Sequence, residues 1–175
     1  MADNNSFVGD FLDYNRWANL RLLDACLSLT PSQLASDSPG TYGTIYDTLV
    51  HLIKAEASYY RRLSGIQLNP SFSWEDLPSV AEIKTFAEQV DSAWVEIAEQ
   101  MRLTDVIKRD WQDPDWEGQP HLYKAISLLI QVINHGVEHR TNITTIMAQQ
   151  AIQHPDLDGW EYMRLNPARM AAEKK

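Results

Sequence analysis

Apolar residues recur along the chain at alternating spacings of three and four, the period of one helical face. Over residues 6–29 the stripe is Phe7, Phe11, Tyr14, Ala18, Leu22, Ala25 and Leu29. Thr30-Pro31-Ser32-Gln33 then reads as a capping box with proline at the first helical position, predicting one short helical turn. A second stripe follows Thr44, an N-cap with Asp47 three residues on, through Ile45, Leu49, Leu52, Ala55 and Tyr59. It runs to Gly65, where a glycine C-cap belongs. The third opens on the capping box Ser79-Val80-Ala81-Glu82 and continues through Ile83, Ala87, Val90, Trp94, Ile97 and Met101. The fourth, residues 121–151, would be about 45 Å long as one unbroken helix.

Four amphipathic helices predict an all-α fold, a four-helix bundle over residues 1–164 with a C-terminal tail at 165–175, frayed from Ala168 onward. The links after the first two helices are each about 14 residues and the third is longer, lengths that permit a long crossover connection. Two short runs around Asp113-Pro114-Asp115 predict a small hairpin.

Composition narrows the function. The 175 residues suffice for a core without disulfides or a structural metal. The single cysteine, Cys26, precludes an internal disulfide, reads as a small buried hydrophobe, and fits a reducing cytoplasm. A net charge of −9 argues against nucleic-acid binding. There is no membrane-length apolar run, signal peptide, phosphate loop, nucleophile elbow or Cys-x-x-Cys. A cytoplasmic protein with neither membrane nor nucleic-acid partners is expected.

The fourth stripe reads Ala125, Leu128, Val132, His135, His139, Asn142, Ile146: apolar at both ends, polar in the middle. Burying polar groups costs free energy unless they find partners. Two histidines four apart share a face and can reach one metal ion. Chance would supply about 0.1 such pairs in a chain of this composition, so the pair alone does not decide between a metal site and hydrogen-bonded core histidines. His51 stands at the border of the second apolar face. With His135 and His139 it would form a facial set of three nitrogens, leaving a coordination position open as catalytic sites do. Tyr42, Tyr59 and Asn142 are the polar groups expected around that position. His121 and His154 read as surface or capping residues, with His121 in reserve as a ligand. Glu56 reads as a solvated helix residue, with orienting a ligand as the alternative, Glu138 and Arg140 as packing or interface charges or as groups supporting the ligands from behind, and Trp17, Trp94, Trp111, Trp116 and Trp160 as core or loop anchors. Val8, Leu12, Leu20 and Phe86, off the main stripes, suggest extra apolar surface for a homodimer to cover.

The segments Tyr14-Asn15-Arg16-Trp17-Ala18-Asn19, Thr44-Ile45-Tyr46-Asp47-Thr48-Leu49-Val50-His51-Leu52 and Asn134-His135-Gly136-Val137-Glu138-His139-Arg140 resemble the DinB/YfiT family. The resemblance spans about residues 7–164 and implies a four-helix bundle with a long crossover, often dimeric. It also implies a divalent metal, zinc or nickel, on His51, His135 and His139. Characterised branches of that family include transferases and an isomerase that use low-molecular-weight thiols. By that resemblance Tyr59 and Asn142 would orient a thiol and an electrophilic small molecule. Asn142 stands where many members have glutamine, and Tyr59 near a position often held by tryptophan. The alternative is a non-enzymatic dimeric bundle whose polar core is structural or binds a small ligand.

Overall fold

A computed structural model describes residues 5–100, 110–114 and 120–167. Helix α1 spans Asn5–Cys26, the short α2 Pro31–Leu34, α3 Ile45–Ser64, α4 Val80–Gln100, α5 Ile126–Gln149 and α6 Gly159–Leu165. The predicted caps are in place. Thr30 and Gln33 exchange side-chain and backbone hydrogen bonds at the start of α2. The Thr44 hydroxyl accepts from the Asp47 amide at the start of α3. Ser79 and Glu82 close the box ahead of α4. Gly65 ends α3 at φ 78°, a left-handed conformation that glycine adopts without strain.

The bundle closes as a ring. Helix α1 packs on α4 and α5, and α3 packs on α4 and α5. Thus α1 and α3 lie diagonally across the core, as do α4 and α5, and the chain crosses the bundle twice through long connections. The core is built from Leu22, Leu23, Ile45, Leu49, Leu52, Ile53, Ile83, Trp94, Ile143, Ile146 and Met147, all essentially without solvent contact. Cys26 is buried among them, and burial pushes its thiol up to about 12. No helix among the described residues is long and apolar enough to cross a membrane.

Several expectations change. The fourth helix begins at Ile126, because strand β1, Asp110–Pro114, pairs antiparallel with β2, Pro120–Lys124. The hairpin was foreseen, but its place ahead of the helix puts His121 on β2, opposite Asp113. The first helix ends at Cys26, and its buried face runs through Leu12, Asn15, Ala18, Asn19, Leu22 and Leu23, leaving Phe11 exposed. Leu12 and Phe86 are buried, and Val8 and Leu20 pack against the core, so these four supply no surplus surface for a dimer. Trp160 is 79% exposed and is no core anchor. The positions of Met101 and Trp116, the side chains of Phe7, Trp111 and His121, and the tail from Ala168 lie outside what is described.

Candidate metal centre

Helix α3 carries His51 and helix α5 carries His135 and His139, one turn apart on the face turned toward α3. One ring nitrogen from each lies within 4.8 Å of the others. The Nε2 atoms of His51 and His135 are 2.9 Å apart. Two nitrogens about 2.05 Å from one ion are about 2.9 Å apart at a right angle and about 3.3 Å apart at the tetrahedral angle. This pair therefore already stands at the spacing of two ligands. His139 packs edge-on against both, with ring centroids 4.2 Å from His135 and 4.7 Å from His51.

All three rings are held neutral, the form in which imidazole binds metal. Burial, reinforced by His139, His51 and Arg140, lowers His135 to about 4. Burial and the Lys54 charge lower His51. Burial and His51 lower His139 against an opposing pull from Glu138. Buried polar atoms are normally paired, yet Nδ1 of His135 and of His139 has no hydrogen-bond partner. Histidines buried for structural reasons would be hydrogen-bonded to carboxylates or carbonyls. These are clustered on one another, which fits a nitrogen-donor set for a borderline divalent ion.

Two tyrosines flank the cluster. Tyr42 stacks on His51 at 4.2 Å and meets His139 edge-on at 5.0 Å, and its hydroxyl lies 2.9 Å from His51 Nδ1. Tyr59 meets His135 edge-on at 5.6 Å, and its hydroxyl accepts from Gln131 Nε2. Asn142 sits at the rim with both amide groups engaged. Its Oδ1 accepts from the Tyr42 backbone amide at 2.7 Å, and its Nδ2 donates to the Glu138 carbonyl. Glu138 and His154 are exposed, and His154 lies outside the cluster.

Beneath the histidines lies a polar network that the sequence reading missed. Glu56, expected in solvent, is fully buried, and Arg140 is 2% exposed. Arg140 Nη1 donates to the side-chain oxygens of Asn15 and Asn19, each at 2.7 Å. The amide nitrogens of those asparagines donate to the Glu56 carboxylate, and Asn19 also to Asp91. The Trp94 indole donates to the Glu56 backbone carbonyl. One network thus joins α1, α3, α4 and α5, one residue beyond His139 and five beyond His51. Gly136 makes room for it: a Cβ there would stand 2.6 Å from both Arg140 Nη1 and Asn15 Oδ1.

A model of the DinB family matches residues 1–173. The chain belongs to the DinB family. It is 23% identical over 172 residues to Protein DinB of Bacillus subtilis strain 168, covering 95% of this chain and 99% of that one. Among solved structures, this DinB-family chain resembles a DinB-like protein from Bacillus cereus ATCC 10987. The TM-score is 0.60 at 21% identity, over 82% of this chain and 91% of that one. It also resembles YfiT from Bacillus subtilis, with a TM-score of 0.62 at 17% identity, over 83% and 89% of the two chains. YfiT is described as a probable metal-dependent hydrolase with an unusual four-helix bundle topology. At these identities the likeness establishes the fold, a DinB/YfiT-like helical bundle.

Proposed function

We propose that the protein is a metal-dependent enzyme in which His51, His135 and His139 hold one divalent ion, zinc or nickel. Its reaction in this reading is transfer of a low-molecular-weight thiol to an electrophilic small molecule. The observation that carries the proposal is the convergence of three imidazoles from two helices, one ring nitrogen of each within 4.8 Å of the others and the His51–His135 pair 2.9 Å apart, with Nδ1 of His135 and of His139 otherwise without a partner. A divalent ion on three nitrogens keeps a position open, where it lowers the pKa of a bound thiol or water and polarises an electrophile. The chain supplies the rest. The two α5 rings are fixed one turn apart, α3 brings the third, and Tyr42 and Tyr59 wall the cluster on two sides. In this reading Tyr59, edge-on to His135, and Asn142, at the rim, would orient a bound molecule. The fold likeness to YfiT favours a second reading, hydrolysis, in which water takes the place of the thiol.

Cobalt-loaded protein titrated with a small thiol separates these readings. A sulfur-to-metal charge-transfer band is expected. Metal-loaded protein without a band for any physiological thiol overturns the transferase reading and turns the search to ester and amide hydrolysis. Protein that takes up no divalent ion overturns both in favour of a non-enzymatic bundle.

The proposal extends to a homodimer in the cytoplasm, a setting that the single buried thiol fits. Exposed Ile130 and Val137 on α5 offer the apolar surface that Leu12 and Phe86 do not. Light scattering at micromolar concentration should return twice the chain mass, and a monomer mass would refute it.

A further inference from the structure

We propose that Tyr42 is the positioning residue of the metal centre: its phenol oxygen accepts the Nδ1 proton of His51 and so commits the His51 Nε2 lone pair to the ion, while Asn142 acts by holding Tyr42 in place. The inference rests on the three-histidine reading and deepens it.

Neutral imidazole carries one proton, on Nδ1 or on Nε2. His51 and His135 Nε2 are only 2.9 Å apart, a contact in which one of the two donates to the other. An ion between them needs both lone pairs, so both protons must sit on Nδ1. His135 Nδ1 has no partner there. His51 Nδ1 has one, the Tyr42 hydroxyl at 2.9 Å. Hydroxyl oxygens accept as well as donate, so Tyr42 can turn its own proton away and receive that of His51. Ligating histidines usually lean on such a partner, which fixes both the ring's tautomer and its orientation.

Tyr42 comes from a loop and needs anchoring. Stacking on His51 sets the ring, and two ties to α5 set the backbone. The Tyr42 amide donates to Asn142 Oδ1, and the Ser38 hydroxyl donates to Gln149 Oε1. Gly40, at φ 87°, turns the chain between them. Thr41 Oγ1 donates back to the Ser38 carbonyl at 2.7 Å and stiffens that turn. Asn142 is in turn held by its own hydrogen bond to the Glu138 carbonyl. Its two amide groups are therefore occupied in strapping this loop to the helix that bears two of the ligands. Tyr59 is different: its hydroxyl is engaged by Gln131 and touches no ligand.

The test measures zinc affinity of the full chain by competition with a chromophoric chelator, in wild type, Tyr42→Phe, Asn142→Ala and Tyr59→Phe. Losing the ligand's hydrogen-bond partner should weaken zinc about ten-fold in Tyr42→Phe, and Asn142→Ala should follow it. Tyr59→Phe should stay close to wild type. A second readout isolates the hydrogen bond from packing. In zinc-loaded protein labelled with nitrogen-15, the His51 Nδ1 proton should be sheltered from exchange and visible by NMR. It should vanish or shift in Tyr42→Phe, which keeps the ring and the fold. Equal zinc affinity and an unchanged Nδ1 signal in Tyr42→Phe overturn this inference alone. Wild-type protein that binds no zinc overturns the three-histidine reading and this inference with it.

Discussion

Protein with His139 replaced by alanine should emerge folded and without metal. Structural zinc binds with about 10–16 kcal/mol spread over four ligands, or about 3 kcal/mol for each. Losing one of three imidazoles should therefore weaken binding by roughly two orders of magnitude or more, enough to empty the site during purification. Metal analysis of purified His139→Ala against wild type decides this, and retained stoichiometric metal would refute it. Acid should act in the same direction. Each histidine is held below its ordinary value, with His135 lowest at about 4. Between pH 6.5 and about 4 the unfolded chain takes up protons that the folded chain refuses, so metal-free protein should lose stability as pH falls through that window. Above 6.5 the histidines contribute no slope. Urea titrations of metal-free wild type and His135→Ala should show a shallower loss in the variant.

Arg140→Met should be the most destabilising of the polar substitutions, by about 3–5 kcal/mol. Removing one partner of a buried ion pair leaves the other charge uncompensated. Arg140 is the cation that the asparagine amides link to Glu56 and Asp91. Burial and the neighbouring Glu56 hold the Asp91 carboxyl well above its ordinary 3.8, and Asp91 Oδ2 has no hydrogen-bond partner. Burial raises Glu56 as well, opposed by the Asn15 and Asn19 hydrogen bonds and the Arg140 charge, whereas Asp91 is raised further because the Glu56 charge adds to its burial; of the two, Asp91 is the carboxyl more inclined to hold a proton. Arg140→Met combined with Glu56→Gln should recover part of the loss in a double-mutant cycle, whereas strictly additive losses would refute the coupling. Because folded Asp91 retains a proton that the unfolded chain releases above 3.8, stability should decline as pH rises past that value. Asp91→Asn should flatten that decline.

The helices and the histidine cluster were legible because each rests on a local signal. Thr44 with Asp47 and Ser79 with Glu82 mark helix starts, Gly65 marks an end, and His135 with His139 share a face at a spacing readable without knowing the fold. The hairpin was legible too, but the strand that Pro120 opens displaced the start of the fourth helix. The Glu56–Arg140 network was not legible, since its members come from four helices and each alone resembles a solvated residue. A trace was present: Asn15 and Asn19 lie on the same face as Leu12, Leu22 and Leu23, and Glu56 falls in step with Leu49, Leu52 and Tyr60. Reading Ala55 and Tyr59 as the stripe rotated that face and left Glu56 in solvent. Asn142 is expected beside the open position, but that both its amide groups hold backbone depends on a loop about a hundred residues away and on its own helix.

Cys26 gives the molecule a built-in gauge of its own opening. A thiolate must form before a maleimide or a disulfide can react, and burial with the thiol pushed up to about 12 denies it both proton loss and access. Folded protein should therefore pass through thiol-rich mixtures without exchanging its own sulfur, so any thioether formed in an assay is made from added reagents. Alkylation of this single site then counts excursions in which α1 lifts from the core. Its rate, followed with and without bound metal, reports how far occupancy of the centre on α3 and α5 stiffens a helix that contributes no ligand.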